Sequence, residues 1–309
     1  MHTNPLICII ILNWNGYQVT KDCIESLDNI TYTNYKLILV DNGSADGSVE
    51  SLKRDFPNHP HLDILPLDKN YGFTGGNNKG ILYAKEKYAP EYYLLLNNDT
   101  TVDPTFLNVM QQQFAANPRC FAVVPKIFYY DRPQVLWYAG GGISRLTGVV
   151  EHYGINKTDS PKFNDSKSID FMNGCSALIS ARAIEEIGIL DERFFANSED
   201  ADYSLRILKS GHQIIYAADA IVYHKVSYSF KSNKGKWFTF YMATRNLILL
   251  QKKHLPLIML PVFYSAFAMR WMFYLTLKLT YLKDSRSLKG IYLGFIDGSL
   301  NRKNIRTSL

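Results

Sequence analysis

The order of apolar and polar positions divides the chain into three regions. Up to about residue 125, short apolar runs alternate with segments whose apolar residues recur every three or four positions. This alternation is typical of βαβ units and predicts an α/β fold of nucleotide-binding type, built on a mainly parallel sheet. The predicted strands of this region are Ile7–Leu12, Lys36–Val40, Leu62–Leu67, Tyr92–Leu96 and Phe121–Val124.

Helical spacing fills the intervals between these strands. The clearest examples are Val49, Leu52 and Phe56 in one segment and Leu107, Met110 and Phe114 in another. The second helix is predicted to have Asp103 as its N-cap and Pro104 at its first helical position. A third helix is expected after the glycine-rich loop Asn70–Asn78, with Ile81 and Leu82 on its apolar side.

The middle region has a different pattern. Trp137–Tyr153 contains a Gly-Gly-Gly run and alternating residues that predict a hairpin, and Ile155–Ser168 is interpreted as a polar loop without a core signal. A second αβ block follows. Its predicted strands are Ser176–Ile179, Gln213–Ala217 and Ile221–His224, and its predicted helices are Ala181–Ile187 and Glu199–Leu208.

After about residue 235, aromatic, Leu, Ile and Met residues alternate with basic ones. Leu255–Leu282 exceeds the roughly 20 residues that a membrane-spanning helix needs, but it includes Pro256, Pro261, Arg270 and Lys278. The pattern therefore favours amphipathic helices that lie in the headgroup region of a membrane. The alternative is that these helices pack on the domain or on a second subunit.

Composition and charge support this division. The chain has 309 residues, 47% of them hydrophobic, which is enough for a globular core. We expect a catalytic domain over residues 1–235, with halves at 1–125 and 126–235, and a helical region over 236–309. Cys8, Cys23, Cys120 and Cys175 form no CxxC pair, and no signal peptide is evident, so a reducing, cytoplasmic compartment is expected.

The formal net charge of +6 is concentrated near the C-terminus. The basic residues of the last quarter include Lys231, Lys234, Lys236, Lys252, Lys253, Lys278, Lys283, Arg286, Lys289, Arg302, Lys303 and Arg306. Such a cluster predicts an anionic partner, either a membrane surface or nucleic acid. Because the neighbouring aromatic residues lie in apolar runs, a membrane surface is favoured and nucleic acid is not expected.

Polar residues gather where the predicted strands end. At this edge of an open α/β sheet, ligands bind. The candidates for contact with a nucleotide or its sugar are Leu12, Asn13, Asn15, Asp41, Asn42, Asn70, Gly72, Gly75, Asn78, Asn97 and Asn98. Glycines and a helix N-terminus after residue 70 would suit phosphate, although Asp41-Asn42-Gly43-Ser44 could equally be turn chemistry.

Two further groups of residues complete the candidate site. Asp99, with His224 as a second ligand, is the candidate for a divalent cation that bridges a diphosphate, although a lone histidine at a strand end can also be structural. Glu199, Asp200 and Asp202 crowd the first turn of a helix, where acids are usually caps. Asp202 can pair with Arg206 one turn later, which leaves the tandem Glu199-Asp200 as candidate general base.

The order of these motifs resembles the family-2 glycosyltransferases of the GT-A fold, in particular the rhamnosyltransferase-like branch of bacterial surface-polysaccharide synthesis. The series runs from residue 5 to about 250. It comprises Leu12-Asn13-Trp14-Asn15, Asp41-Asn42-Gly43-Ser44, Asn70 to Asn78, Asn97-Asn98-Asp99, Asn173-Gly174, Glu199-Asp200, His224 and Thr244-Arg245-Asn246.

The resemblance implies an inverting transfer from a nucleotide-diphosphate sugar, carrying rhamnose or another hexose, to a lipid-linked or oligosaccharide acceptor. It makes Asp41 a nucleoside contact, Asp99 and His224 ligands of Mn²⁺ or Mg²⁺, and Asp200 the catalytic base. Glu199, Asn173 and Gly174 would contact the acceptor. Asn97 stands where the family's metal motif usually begins with an acid, which could weaken metal binding.

The resemblance also implies a location, because an enzyme that uses a lipid-linked acceptor must work at the cytoplasmic face of a membrane.

Two other functions are alternatives for this sequence. A sugar-nucleotide pyrophosphorylase would need a basic, glycine-rich loop after the first strand, and Leu12 to Gly16 lacks one. A catalytically impaired scaffold or partner-binding protein at the membrane is the other alternative, and a homo-oligomer is left open.

Overall fold

The computed structural model describes residues 4–226, 235–302 and 305–306, so Lys231, Lys234 and Lys303 lie outside the described residues. Its strands are β1 (Ile7–Asn13), β2 (Tyr35–Asp41), β3 (Leu62–Pro66), β4 (Tyr92–Asn97), β5 (Thr100–Val102), β6 (Cys120–Tyr129), β7 (Arg132–Tyr138), β8 (Gly141–Ile143), β9 (Val150–His152), β10 (Lys167–Ile169), β11 (Ser176–Ser180) and β12 (Gln213–His224).

Helices cover this sheet and form the C-terminal region. They are α1 (Tyr17–Leu27), α2 (Ser48–Asp55), α3 (Gly72–Tyr88), α4 (Phe106–Ala116), α5 (Ala181–Ile187), α6 (Glu199–Lys209), α7 (Gly235–His254), α8 (Leu260–Phe267), α9 (Leu275–Tyr281) and α10 (Ser285–Ser299). Short 3₁₀ turns lie at Pro161–Phe163 and Leu257–Met259, and a π-helical segment, Ala268–Tyr274, joins α8 to α9.

One mixed sheet organises the fold, in the order β10-β12-β6-β11-β4-β1-β2-β3, with β5 beside β12 and β7 beside β6. β3, β2, β1 and β4 are parallel, and β12 is parallel to β6. Because β11 is antiparallel to both β4 and β6, these two neighbours run in the same direction. Six of the ten strands therefore share one direction, and the prediction of a mainly parallel sheet is confirmed.

The central strands are buried almost throughout their length, with β1, β2 and β4 exposing little on either face. This explains why their sequences are continuous apolar runs rather than alternating ones. The predicted hairpin is also present, because β8 and β9 pair in antiparallel fashion. The two strands predicted at Gln213–Ala217 and Ile221–His224 are one strand, β12, with a register shift between Ala217 and Ile221.

Three local predictions are wrong. α4 begins at Phe106 rather than Pro104, because Asp103 accepts hydrogen bonds from the amide and hydroxyl of Thr105 in a preceding turn. Ile155–Ser168 does contribute to the core, since the Phe163 side chain is buried and its carbonyl accepts from Tyr216 Oη. Leu82 is not on the apolar side of its helix, because its side chain is 52% exposed.

The glycine-rich segment is mostly helical rather than a loop, since α3 already begins at Gly72. A Cβ atom added at Gly76 would lie 2.4 Å from Leu12 Cδ1, so the absence of a side chain lets α3 sit directly on β1. Gly75 lies in the same helical turn, next to the Tyr71 side chain. Gly76 thus serves helix-to-sheet packing, whereas Gly75 makes room for the Tyr71 side chain.

The C-terminal helices are tied to the sheet domain through α7. Leu249 and Leu250 of α7 belong to the main hydrophobic core, and α10 packs along α7. Asp297 at the end of α10 is buried and accepts from Tyr241, Arg302 and Arg306. Part of the C-terminal positive charge is therefore neutralised within the protein.

A continuous helical stretch, Leu257–Tyr281, has a mean hydropathy of 1.3 and is only 12% buried. By length and composition it is the one helix among the described residues that could cross a membrane. Length and composition are weak evidence of a span, because helices of soluble proteins can pass the same test.

Candidate active site

Amide side chains form a hydrogen-bonded row along the carboxyl ends of β2, β1 and β4. Asn13 Nδ2 donates to Asp41 Oδ2 at 2.6 Å, and Asn13 Oδ1 accepts from Thr20 Oγ1 at 2.9 Å and from Asn98 Nδ2 at 3.4 Å. Asn13, Asp41 and Asn98 are all buried. Since β1 lies between β2 and β4, Asn13 joins both neighbouring strand ends into one rigid edge.

Asp41 also closes the turn that follows β2. Its Oδ1 accepts from Ser44 N at 2.9 Å, and Ser44 Oγ in turn accepts from Asn15 N at 2.9 Å. Asn15 Oδ1 accepts from Ala45 N at 2.8 Å. The turn chemistry that the sequence left open is thus present, while each Asp41 oxygen keeps a second lone pair for a ligand.

Asn42 connects this edge to the start of α3. Its Nδ2 donates to Asn70 Oδ1 at 3.2 Å and to Gly72 O at 3.0 Å, and its Oδ1 accepts from Tyr71 N at 2.9 Å. Asn70 Oδ1 also accepts from Gly72 N at 2.7 Å. These four bonds hold the first turn of α3 beside the end of β2.

Asn78 has a different set of partners. Its Nδ2 donates to Leu190 O at 2.9 Å and to Glu192 Oε1 at 3.1 Å, while its Oδ1 accepts from Leu190 N at 3.1 Å. Both amide hydrogens are therefore engaged by the segment between α5 and α6. We assign Asn78 to holding that segment on α3, because a contact with a nucleotide would break these bonds.

Asp99 and His224 form a buried pair at the ends of neighbouring segments. Asp99 Oδ1 lies 3.1 Å from His224 Nε2, and both side chains are more than 90% buried. Burial alone would lower the pKa of His224, but the Cys175 sulfur and the Asp99 carboxylate raise it to about 10. Burial also raises the pKa of the neighbouring Cys175 thiol.

The same two atoms are suited to a divalent cation. Neighbouring ligands of an octahedral ion at about 2.1 Å lie about 3 Å apart, which matches their separation. Within residues 4–226, 235–302 and 305–306, no group of three or more His, Cys, Asp or Glu side chains is placed to hold a metal. An ion at this pair would therefore need oxygens from a substrate or from water, and it would have to displace the proton on Nε2.

The turn Asn173-Gly174-Cys175 links this pair to the acids of α6. Cys175 O accepts from Asn97 N at 2.8 Å, and Cys175 N donates to Asn173 Oδ1 at 2.8 Å. Gly174 N donates to Asp200 Oδ2 at 3.3 Å. One short turn thus touches the end of β4 on one side and Asp200 on the other.

Glu199 and Asp200 begin α6 with unusual electrostatics. Glu199 is 6% exposed, and its Oε2 has no hydrogen-bond partner among the described residues. Burial and the neighbouring charge of Asp200 raise the pKa of Glu199 well above its ordinary range. Burial also raises the pKa of Asp200 to about 6, although hydrogen bonds from the amides of Ala201 and Gly174 oppose the shift.

Asp202 is different, because its charge is neutralised. It is fully buried, and its oxygens lie 2.9 Å from Arg206 Nε, 2.7 Å from Lys253 Nζ and 2.7 Å from His254 Nε2. Burial would raise the pKa of Asp202, but the hydrogen bond from His254 and the charges of Arg206 and Lys253 hold it below its ordinary value. The predicted pairing of Asp202 with Arg206 is confirmed.

The candidate residues from distant parts of the chain meet at one edge of the sheet. Asp41 contacts Asn13, Asn13 contacts Asn98 beside Asp99, and Asp99 contacts His224. Cys175 lies against His224, and its neighbour Gly174 contacts Asp200. Asp41, Asp99 and Asp200 are therefore connected by an unbroken series of neighbouring residues, as the prediction of a single site requires.

Some side chains at this edge were not identified from the sequence. The Trp137 ring lies 4.5 Å from the His224 ring and 5.1 Å from the His152 ring, measured between centroids. His152 Nε2 lies 3.1 Å from Asn173 Nδ2. A lone histidine in a three-residue strand has no motif around it, so only the fold brings it to the site.

The sequence model described as "Glycosyl transferase family 2" matches residues 8–188, more than half of the chain. The chain belongs to glycosyl transferase family 2. The prediction that this protein is a glycosyltransferase is thereby confirmed. Its predicted resemblance to rhamnosyltransferases is confirmed by the relatives described next. The matched region includes the strand-end amides, Asp99 and the turn around Gly174, but it ends before α6 and His224.

Two relatives of this glycosyltransferase carry rhamnosyltransferase names. The N-acetylglucosaminyl-diphospho-decaprenol L-rhamnosyltransferase of Mycobacterium tuberculosis is 24% identical over 226 residues, which cover 67% of this chain and 71% of the relative. The rhamnosyltransferase WbbL of Escherichia coli is 27% identical over 263 residues, which cover 79% of this chain and 95% of the relative.

Two solved structures show the same GT-A fold at low identity. The mannosyltransferase PcManGT from Pyrobaculum calidifontis, in complex with GDP-Man and Mn²⁺, has a TM-score of 0.58 and 12% identity, and the match covers 97% of this chain and 89% of that one. GalNAc-T7 with UDP, GalNAc and Mn²⁺ has a TM-score of 0.62 and 13% identity. That match covers 80% of this chain and about half, 48%, of the other. The predicted GT-A fold class is confirmed.

The buried ion pairs of Asp202 predict how much this side chain contributes to the free energy of unfolding. Asp202→Asn should lower the free energy of unfolding at pH 7 by about 3 kcal/mol, because the charges of Arg206 and Lys253 lose a buried partner. The folded-state pKa of Asp202 lies below its unfolded value, so its contribution is present above about pH 4 and is lost as the pH falls through the folded-state pKa. Urea unfolding of both proteins at several pH values measures the difference.

The exposed pair Arg182–Glu186 provides the control. Glu186→Gln should change the free energy of unfolding by less than about 0.5 kcal/mol at any of these pH values. A difference between wild type and Asp202→Asn that stays constant down to pH 3 would show that the Asp202 charge does not stabilise the fold.

Proposed function

We propose that this glycosyltransferase moves a sugar, rhamnose or another hexose, from a nucleoside-diphospho-sugar to a hydroxyl group of a lipid-linked or oligosaccharide acceptor in the synthesis of a surface polysaccharide. The observation that carries the proposal is the series of contacts joining Asp41, the Asp99–His224 pair and Asp200 along one sheet edge. The names of both rhamnosyltransferases support the choice of sugar, and the name of the Mycobacterium tuberculosis relative supports a lipid-linked acceptor.

The donor would lie along the row of strand-end amides. Asp41 would accept a hydrogen bond from the nucleoside with the lone pairs that the turn leaves free. Because Asn13 and Asn42 are already held by protein partners, this edge is preorganised and loses little side-chain entropy when the donor binds.

Asp99 and His224 would hold a divalent cation, Mn²⁺ or Mg²⁺, at the diphosphate. The 3.1 Å separation of their ligand atoms and the carboxylate and imidazole chemistry fit such an ion. When bound, a cation of this kind neutralises the negative charge that develops on the departing nucleoside diphosphate. The two solved structures that contain Mn²⁺ together with a nucleotide support this assignment.

Asp200 would act as the general base. Its pKa of about 6 leaves it ionised at neutral pH but basic enough to take the proton of an attacking hydroxyl. Gly174 N–H and Ala201 N–H fix the two carboxylate oxygens. A single displacement assisted by one base inverts the configuration at the anomeric carbon.

Glu199 would bind the acceptor in its protonated form. Burial and the neighbouring charge of Asp200 raise the pKa of Glu199, which favours the neutral carboxyl, and a neutral carboxyl can donate a hydrogen bond as well as accept one. A buried polar atom without a partner is costly, and a substrate hydroxyl would satisfy Oε2. Asn173 and Gly174, on the adjoining turn, would line the same acceptor position.

The base assignment predicts a loss of turnover and a change in pH dependence. Asp200→Asn should lower the Mn²⁺-dependent hydrolysis of a sugar nucleotide by about 10²- to 10⁴-fold. Because only the ionised carboxylate accepts a proton, the wild-type rate should fall as the pH drops below about 6. The assay is release of nucleoside diphosphate from a panel of TDP-, UDP- and GDP-sugars.

The control is Asp219→Asn, since Asp219 is an exposed acid on β12. It should retain the wild-type rate and the same pH profile. Equal rates for wild type and Asp200→Asn would remove Asp200 as the base.

The C-terminal region would bring the active site to the cytoplasmic face of a membrane. Leu257, Ile258 and Tyr281 are each more than 80% exposed, an unusual cost for side chains of this size in a soluble protein. Exposed basic side chains lie in the same C-terminal region, namely Arg270, Lys278, Lys283, Arg286 and Lys289. Apolar side chains flanked by cations are complementary to an anionic lipid surface.

This surface predicts binding to anionic lipid vesicles. The full-length protein should co-sediment with vesicles that contain phosphatidylglycerol, and less so with pure phosphatidylcholine vesicles or at high salt. The double variant Leu257→Glu/Ile258→Glu should stay in the supernatant. Leu82→Glu, which changes an exposed leucine on α3, is the matched control and should sediment like wild type.

Two results would contradict the membrane assignment. One is a wild-type protein that stays in the supernatant with every vesicle composition. The other is a wild-type dimer that Leu257→Glu/Ile258→Glu converts to a monomer without changing lipid binding, which would assign this surface to a second copy of the chain.

A further inference from the structure

The backbone that leads into α6 adopts an unfavourable conformation. Asn197 and Ser198 have φ angles of 67° and 73°, in the left-handed region, and they directly precede Glu199 and Asp200. Each such non-glycine residue costs roughly 1–2 kcal/mol. Ser198 also gives α6 no side-chain cap. The turn that directs the acidic pair is therefore not stable by itself and depends on groups around it.

Those groups can be identified by following the carbonyl oxygens of the segment. Every carbonyl from residue 193 to residue 198 accepts a hydrogen bond. From α7, Arg245 Nη1 donates to Arg193 O (2.8 Å), and Asn246 Nδ2 donates to Ala196 O (2.9 Å) and Asn197 O (2.7 Å). From α3, Thr74 Oγ1 donates to Phe194 O, and Thr74 N donates to Phe195 O (3.3 Å). Asp202 N donates to Ser198 O (2.9 Å). Five of these six carbonyls are held by α3 or α7.

Asn246 on α7 has the central position in this set. It is fully buried, and the two hydrogens of its amide are both used by the left-handed turn. Its Oδ1 accepts from Arg245 Nη1 at 2.9 Å, which fixes the orientation of the amide. Arg245 also donates to Arg302 O at 2.7 Å, so the C-terminal segment is connected to the same point.

The opposite side of the segment is held by the first turn of α3. Gly72 has a φ of 78°, and a Cβ atom there would lie 2.3 Å from Phe195 O. Thr74, two residues later, donates to the carbonyls of Phe194 and Phe195. The turn before the acidic pair is therefore clamped between the donor-side helix α3 and the C-terminal helix α7.

We infer that Asn246, oriented by Arg245, is a positioning residue for the acidic pair: its two hydrogen bonds hold the left-handed turn Asn197-Ser198 and thereby set the direction of Glu199 and Asp200. The inference rests on the proposed function, because it takes Asp200 as the base. It gives Thr244-Arg245-Asn246 a role that sequence order alone did not supply. It also makes Arg245 and Asn246 of α7 a support for the acidic pair.

Asn246→Leu tests this inference, because leucine has a similar volume and no donor. The probe is the sugar nucleotide of the panel that wild type hydrolyses fastest with Mn²⁺. We expect kcat to fall by about 10- to 100-fold, since small displacements of a catalytic group have effects of this size, while KM for the donor changes less than about threefold. Hydrogen exchange of the amides of residues 194–202 should accelerate in the same variant.

A second measurement separates positioning from general destabilisation. If Asn246 acts through Asp200, Asn246→Leu should lower the residual rate of an Asp200→Asn protein by less than about twofold. Tyr241→Phe is the matched control, because it removes a buried hydrogen bond from α7 to Asp297 without touching the turn. It should lower Tm but leave kcat within about twofold of wild type.

The outcomes distinguish the inference from the proposed function. An Asp200→Asn protein with the wild-type rate overturns the proposed function itself. If Asp200→Asn is impaired, the inference is overturned when Asn246→Leu retains the wild-type kcat, or when it lowers kcat by the same factor with and without Asp200. Should Asn246→Leu fail to fold, Asn246→Ser, which adds no apolar bulk beside the carbonyls, takes its place in both comparisons.

Discussion

The antiparallel insertion of β11 between β4 and β6 is the constraint on which this site depends. Because Ser176 pairs with Leu96, β11 begins where β4 ends, and the turn Asn173-Gly174-Cys175 must lie at the carboxyl edge of the sheet. That turn carries an amide to Asp200 and places a thiol against His224. Had β11 been parallel to β4, its first residues would lie at the opposite edge, and this turn would not connect the acids of α6 to the Asp99–His224 pair.

The carboxylates of α6 are of two kinds, one that stabilises the fold and one that is suited to proton transfer, and the groups around each carboxylate decide which kind it is. Asp202 accepts a hydrogen bond from His254 and is paired with the charges of Arg206 and Lys253, so its pKa is lowered and its charge stabilises the fold. Glu199 and Asp200, one turn away or less, have no such cationic partner in the part of the chain that the structure describes, and their pKa values are raised. Groups with raised pKa values in a cleft are candidates for proton transfer, and the strained turn before them indicates that the surrounding structure maintains this arrangement.

The sequence was sufficient for the fold class, and it named side chains that the fold brings to one edge of the sheet, but it did not indicate their contacts. Strands of the first 125 residues were predictable because buried parallel strands are continuous apolar runs. The start of α3 was not, because Gly72, Gly75 and Gly76 resemble a loop in the sequence. Only the fold shows that Gly72 lies against Phe195 and Gly76 against Leu12 of β1. Phe163 had no periodic neighbours to indicate burial. The bonds of Asn78 to Leu190 and of Asn246 to Ala196 join residues 112 and 50 positions apart, and no local pattern encodes such pairs.

The central claim is that one edge of the sheet binds an activated sugar through Asp99 and His224 and uses Asp200 for proton transfer. Electron paramagnetic resonance of Mn²⁺ with UDP, GDP and TDP measures the binding of metal and nucleotide separately from turnover. The account predicts that wild type and Asp200→Asn bind Mn²⁺ together with at least one nucleoside diphosphate, and that Asp99→Asn reduces this binding at least tenfold, a loss of about 1.4 kcal/mol. Equal Mn²⁺ binding by wild type and Asp99→Asn would contradict it.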